Sequence, residues 1–252
     1  MNGQVLPLLC DPNTREKLQL QGDALVNAHS GRRYPIRDGI PIFVETVCGQ
    51  NKKYQGFYDR FAFLYDPAEK LYRWLRKESF RKYYLDALEV AAGARVLEVS
   101  VGTGANIPYM RADVEFFGLD LSWGMLRRCL KNLQKWKRYA ELFQGEAERL
   151  PFVDNAFDTV FHVGGINFFN DRAAAIAEMI RVAKSGTKLV IVDETEKQVK
   201  EGYEKMPLIG RYFKQRAEAV TSPADLVPRN MLELRCEEFA RGRLYCLAFR
   251  KP

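Results

Sequence analysis

The stretch Val96-Leu97-Glu98-Val99-Ser100-Val101-Gly102-Thr103-Gly104-Ala105-Asn106 decides how the rest of the chain is read. An apolar run carrying one acid breaks into a Gly-x-Gly turn ahead of a helical pattern. A strand that feeds a helix through so tight a loop lets a ligand lie against bare backbone. In a dinucleotide-binding loop the glycines and the helix N-terminus aim N–H groups at a pyrophosphate, and a carboxylate beside them would repel it. A third glycine three residues after the second is also expected there, and Ile107 holds that position. Glu98 suits instead a ligand with a positive group and no phosphate. The loop reads as a site for a nucleoside joined to an amino acid.

The residues that follow give the ligand site its second half. Phe116-Phe117-Gly118-Leu119-Asp120-Leu121-Ser122 is a second strand ending in a carboxylate, roughly 20 residues after the loop, the spacing at which an acid accepts from ribose hydroxyls. Gly145-Glu146-Ala147-Glu148-Arg149-Leu150-Pro151-Phe152 leaves a third strand, and Ala156-Phe157-Asp158-Thr159-Val160-Phe161 opens a fourth. A helical segment ending Arg181-Val182-Ala183-Lys184-Ser185-Gly186 precedes a fifth, Lys188-Leu189-Val190-Ile191-Val192-Asp193. Strands alternating with helices predict a parallel sheet covered on both faces. Residues 231–236 and 243–249, joined across Ala240-Arg241-Gly242, predict a closing hairpin that supplies the last two strands, one of them reversed. Between them, residues 196–225 read as a polar helical insertion.

Taken in this order and spacing, the motifs resemble the class I S-adenosylmethionine-dependent methyltransferases, especially the quinone-biosynthesis and small-molecule branch, over about residues 54 to 195. The resemblance implies a Rossmann-like, doubly wound α/β fold with a seven-stranded sheet whose last strand is antiparallel, and S-adenosylmethionine as cofactor. It also implies roles for single residues. Gly102 and Gly104 let backbone approach the methionine part, Glu98 orients the loop and the ammonium, and Asn106 reaches the amino-acid end or caps the helix. Ser100 stands where the family usually has glycine, so its Cβ narrows the pocket. Asp120 takes both ribose hydroxyls, Leu121 and Met125 sandwich the adenine, Glu146 accepts from the adenine amino group, and Ala147 donates its backbone N–H. His162, after the fourth strand, is read as a cofactor contact through its backbone or as a base that deprotonates a substrate hydroxyl. Asp193 and Glu194 are secondary candidates for substrate contact.

Three segments are expected: a small β module over residues 1–50, a helical aromatic segment over 51–90, and the core over 91–252 with an insertion at 196–230. The first resembles the small zinc-ribbon-like domain found free and appended to some methyltransferases, through Tyr34-Pro35-Ile36-Arg37-Asp38-Gly39-Ile40-Pro41. Of its metal ligands only Cys10 remains. Asn13 and Asn27 stand where others would, and His29 and Cys48 are wrongly spaced, so no metal is expected. In the second, Tyr58-Asp59-Arg60-Phe61-Ala62-Phe63-Leu64-Tyr65-Asp66 resembles the lid of quinone-type methyltransferases, with Tyr58 and Tyr65 over cofactor and substrate.

The net charge of +7 sits in the segments that flank the core. Residues 51–90 hold nine Lys/Arg against six Asp/Glu, residues 196–252 twelve against eight, and the first fifty residues balance at five each. Basic flanks fit a solvated helical face, an acidic substrate or RNA. An RNA methyltransferase is therefore the alternative to a small-molecule methyl acceptor, and a non-catalytic partner module that kept the fold is a third reading. No Asp/Asn-Pro-Pro-Tyr/Phe sequence follows the fourth strand, which disfavours methylation of exocyclic amines, so oxygen or carbon acceptors are expected. No apolar run approaches the roughly 18 residues of a membrane span. With no signal-peptide pattern and five scattered cysteines, a soluble, cytoplasmic chain with reduced thiols is expected. Oligomeric state is open.

Overall fold

The apolar run around Val96 becomes the middle strand of a seven-stranded sheet. The computed structural model describes residues 3–76, 81–205, 210–214 and 219–252, with the side chains of 61, 63–65, 67–76 and 212 outside the described set. In chain order the elements are β1 (Leu18–Gln21), β2 (Ala24–Asn27), β3 (Arg33–Arg37) and β4 (Ile40–Pro41), then α1 (Gly49–Arg76) and α2 (Arg81–Asp86). The core follows with β5 (Arg95–Val99), β6 (Glu115–Asp120), α3 (Trp123–Trp136), β7 (Glu141–Gln144), β8 (Thr159–Val163), α4 (Arg172–Val182) and β9 (Lys188–Glu194). Short helices α5 (Glu196–Glu201) and α6 (Gly210–Lys214) lie in the expected insertion, and β10 (Leu232–Phe239) and β11 (Leu244–Arg250) close the chain.

The large sheet runs β10-β11-β9-β8-β5-β6-β7. The strands from β9 to β7 are parallel, and β11 enters antiparallel between β9 and β10. This is the predicted doubly wound sheet with its reversed strand. Side-chain alternation divides the core into two faces. Leu97, Val99, Phe117, Leu119, Val160, Leu189 and Ile191 join α4 and the N-terminal residues on one face. Val96, Phe116, Phe161, Val190 and Val192 join α2 and α3 on the other. The i, i+3, i+4, i+7 spacing of Leu126, Cys129, Leu130 and Leu133 in α3 predicts a core stripe, and all four pack there, Leu130 only half-buried.

One expected helix is absent. The glycine loop leads not into a helix but into a single 3-10 turn, Ile107–Tyr109, and β6 begins at Glu115. Pro108 lies in that turn, and the rest of residues 100–114 joins the two strands as loop. No helix dipole therefore backs the loop.

The N-terminal strands form a four-stranded antiparallel sheet in the order β1-β2-β3-β4. Asp38 and Gly39 both take positive φ, the geometry of the tight turn their sequence predicts. At the expected zinc-ribbon position sits a hydrogen-bonded polar cluster. The buried Asn27 donates from Nδ2 to Asp11 Oδ2 at 2.8 Å, to Thr14 at 3.0 Å and to Glu16 at 2.8 Å. This small sheet is continuous with the core. Ile42 bridges Gln144 of β7, Leu9 bridges Phe152, and Leu9, Leu25, Tyr34 and Phe43 belong to the same buried cluster as Phe143 and Phe152.

Phe152 links these layers, with ring contacts to Phe143 at 5.0 Å, Phe157 at 4.9 Å and Phe117 at 6.4 Å. Phe152→Ala is therefore expected to destabilise the protein by about 3–5 kcal/mol. Urea unfolding should show one shared transition for N-terminal and core probes; separate transitions would disprove the shared core.

Candidate active site

At the carboxyl ends of β5, β8 and β9 a cavity of about 240 Å³ opens, the edge at which ligands enter open α/β sheets. Its walls include Glu98, Ser100, Gly102 and Asn106 from the first half of the expected site. Ser100 adopts φ 62°, a left-handed conformation that costs a side-chain-bearing residue about 1–3 kcal/mol. Gly102 has φ 55°, and a Cβ built on it would meet nothing within 4 Å, so its glycine leaves open space toward a ligand. Gly104 does not line the cavity. A Cβ there would stand 2.6 Å from Cys129 Sγ, so tight packing on α3 explains this glycine.

Glu98 is 1% exposed, and of its two carboxylate oxygens only Oε1 is bonded, to Asn106 Nδ2 at 2.6 Å. Oε2 has no hydrogen-bond partner among the described residues. Asn106 is turned by its own acceptor bonds from Arg81 Nε at 3.0 Å and Tyr84 Oη at 2.8 Å. It makes no capping hydrogen bond; with no helix to cap, it holds the carboxylate. Burial pushes Glu98 up to about 8, against the pull of Asn106 and Arg81. A buried carboxylate with one bare oxygen fits a cation, and the α-ammonium of an amino-acid ligand supplies one.

The second half of the site lies under α1. Asp120 is 9% exposed and accepts from Gly102 N and Ser122 N, each at 2.8 Å. Burial raises it to about 6 despite those bonds. Gln55 of α1 donates to the Leu121 carbonyl at 3.1 Å, and Asn51 donates to Glu146 at 3.3 Å. Asp59 accepts from Ser122 Oγ at 2.6 Å and Gly124 N at 2.8 Å, adding a second cap to α3. Met125 and Ala147 are buried. Glu146 Oε2 also pairs with Arg149 at 2.5 Å. The helix expected as a lid thus lies on Leu121 and Glu146 and beside Asp120. Tyr58 is half-buried and packs edge-on to Phe57 at 5.3 Å. Tyr65 lies in α1, but its side chain is outside the described residues.

His162 corrects the expectation of a base at the cavity. It is fully buried, its Nδ1 lies 3.0 Å from the Val99 carbonyl, and its ring meets Phe169 edge-on at 5.3 Å. Alternation is the reason: His162 follows Val160 onto one face of the sheet, whereas Glu98 follows Val96 onto the other. Burial lowers its pKa, with Asp193 opposing, so the ring is held neutral. Asp193 and Glu194, the secondary candidates, line the cavity too, whereas its walls Arg81, Tyr84, Gln198, Tyr203 and Arg243 carried no motif. These five come from α2, the insertion and the turn before β11, and only the fold brings them to Glu98.

Comparison with known proteins agrees with this architecture. A model described as "Methyltransferase domain" matches residues 97–191. A demethylmenaquinone methyltransferase of Lactiplantibacillus plantarum is 32% identical over 173 residues, covering 63% of this chain and 73% of that protein. The chain belongs to the class I S-adenosylmethionine-dependent methyltransferases. A demethylmenaquinone methyltransferase of Renibacterium salmoninarum is 35% identical over 137 residues, 54% of this chain and 56% of the relative. The chain spans a little over half the length of that relative and of its Paenarthrobacter aurescens counterpart, which it covers to 53%. Among solved structures, a SAM-dependent methyltransferase of Thermotoga maritima shares the fold with a TM-score of 0.60 at 20% identity, over 79% of this chain and 99% of that one. The family's cofactor is S-adenosylmethionine. The bare Glu98 oxygen and the open face of Gly102 fit its amino-acid end, on the strand next to Asp120.

The two raised carboxyls fix the sign of a pH effect on this methyltransferase. Below 4.5, the ordinary value for Glu98, folded and unfolded chains both keep its proton. Between 4.5 and about 8 the unfolded chain sheds it while the folded chain keeps it, so stability falls as pH rises and then levels off. Asp120 adds a fall in the same direction up to about 6. Glu98→Gln should therefore gain on the wild type from pH 5 to 8, on the order of a few kcal/mol, in urea denaturation without ligand. A constant difference between the two proteins across that range would contradict a neutral, buried Glu98.

Proposed function

We propose that the chain transfers a methyl group from S-adenosylmethionine to an oxygen or carbon of a small, hydroxyl-bearing acceptor. The observation that carries this reading is Glu98: a buried, half-satisfied carboxylate beside an open glycine turn, next to a strand that ends in Asp120. That arrangement serves a ligand with a cationic amino-acid end and a ribose, and it repels a pyrophosphate. Glu98 would hold the ammonium and Gly102 would admit the methionine backbone. Asp120 would accept from the ribose hydroxyls, with Leu121, Met125, Glu146 and Ala147 around the adenine. Cofactor entry on that side requires α1 to shift, because Gln55 and Asn51 bond to Leu121 and Glu146.

Bound S-adenosylmethionine supplies a methyl group already activated on a sulfonium. The protein's part is to align the acceptor and exclude water, and alignment of this kind is worth roughly 7–11 kcal/mol. Tyr58 and α1 would supply the cover. The names of the relatives point to a demethylmenaquinone-type acceptor. No helix among the described residues is long and apolar enough to cross a membrane, and we place the chain in the cytoplasm, where the five free thiols are kept reduced.

Calorimetric titration of S-adenosylhomocysteine tests the reading. Micromolar binding is expected for the wild type, with at least a tenfold loss in folded Asp120→Ala, about 1.4 kcal/mol or more. An ammonium placed beside Glu98 favours its ionised form. Binding near pH 7 should therefore release protons, seen as a buffer-dependent heat that Glu98→Gln abolishes. No binding to folded wild type would defeat the proposal.

A further inference from the structure

Two acids end β9, and the structure gives them different work. Asp193 is saturated: it accepts from Gly165 N at 2.9 Å, Asn167 N at 3.2 Å, Asn167 Nδ2 at 3.0 Å and Glu194 N at 2.9 Å. Burial pushes it up, but its hydrogen bonds and His162 outweigh that and hold it below the usual carboxylate range. It organises the loop after β8. Glu194, one residue on, belongs to the alternate face, with Val190 and Val192, where Glu98 lies. It lines the same cavity as Glu98 and is half-buried. Its carboxylate accepts from Tyr203 Oη, at 2.6 Å to Oε1, and shares a side-chain hydrogen bond with Asp193.

The turn that precedes β11 carries a complementary donor. Leu244 is the register partner of Glu194, and Thr195 N donates to the Arg243 carbonyl at 2.9 Å, so Arg243 flanks the end of β9. Its terminal nitrogen reaches Glu201 at 3.2 Å, while its buried Nε has no partner among the described residues. A buried N–H without an acceptor is unfavourable, and a ligand oxygen would satisfy it.

We propose that Glu194 takes the hydroxyl proton of the methyl acceptor, that Arg243 holds the resulting oxyanion, and that Tyr203 positions the Glu194 carboxyl. This rests on the methyltransferase reading and assigns the acceptor side of its cavity. In the step, the acceptor O–H bond breaks, its proton moves to a Glu194 oxygen, and its electron pair stays on the acceptor as the nucleophile. The proton leaves to solvent when product departs. The groups that face Glu194 set its readiness. Burial and then the charge of Asp193 raise it well above the usual range, and Tyr203 opposes them. Arg243 flanks it from the turn before β11 and Tyr245 from β11, and His162 bears on Asp193 from beyond. A carboxyl raised in this way is, once ionised, a stronger base than an ordinary glutamate.

The test has an arm that needs no turnover. In protein labelled with 13C at glutamate carboxyls, the resonance absent from Glu194→Gln should titrate well above 4.5, the ordinary value. It should move higher still in Tyr203→Phe, which removes the donor that favours the ionised form. A second arm uses 2-naphthol and the wild type saturated with S-adenosylhomocysteine. Its affinity should rise with pH through that titration, lose the rise in Glu194→Gln, and fall about tenfold in Arg243→Gln, the loss of one hydrogen bond to a charged group. S-adenosylhomocysteine should bind both variants within twofold of wild type. Glu194 titrating in the ordinary range, or 2-naphthol failing to bind or binding all variants alike, would overturn the proposal and leave the cofactor reading standing. No S-adenosylhomocysteine binding to folded wild type would bring down the cofactor reading and this inference with it.

Discussion

Glu98 sits on the middle strand of the sheet with almost no solvent contact, and what surrounds it follows from the cost of that burial. One oxygen is held by Asn106, and Asn106 is itself held by α2 through Arg81 and Tyr84. The placement of α2 against the first core strand thus depends on a polar chain that ends at a bare oxygen on the cavity wall. A fold that needed only stability would place an apolar residue here, because burying half-satisfied carboxyls is unfavourable. Retaining one where backbone opens to a cavity is how a binding site is built into a core. The same holds at Asp120, buried at the end of the adjacent strand and restrained by two backbone N–H groups.

Helix α1 gives this arrangement its second layer. Its polar side chains meet the loops after β6 and β7, while Tyr54 and Phe57 join an aromatic cluster with Phe168 and Phe213. One helix therefore joins the loops after β6 and β7 to the insertion that follows β9.

Much of this was legible in the chain. The apolar runs ending in Glu98, Asp120 and Asp193 placed three strands and their ligand-facing ends, because a strand buried on both faces must be apolar until it reaches the edge. The reversed strand followed from the hairpin across Gly242. Other features could not be read locally. The connection after the glycine loop carries only a single 3-10 turn, although the preceding pattern favoured a helix. The parity that sends His162 and Asp193 to one face and Glu98 and Glu194 to the other is visible only once the strand register is known. Arg81, Tyr203 and Arg243 reach the cavity from segments far apart in sequence, and nothing in their neighbours marks them. The polar cluster of Asn27 with Asp11, Thr14 and Glu16 was not legible either, because it depends on their meeting in space.

The junction between the small N-terminal sheet and β7 has a consequence for solution behaviour. Phe43 N donates to the Gln144 carbonyl at 2.8 Å, and Ile42 runs parallel to the outermost core strand. An unpaired outer strand is a template on which other chains can add and aggregate. Here the chain's own first fifty residues cover part of that template. A version trimmed to the large sheet and its helices would expose β7 together with the apolar faces of Phe143 and Phe152, and its weakness would be self-association.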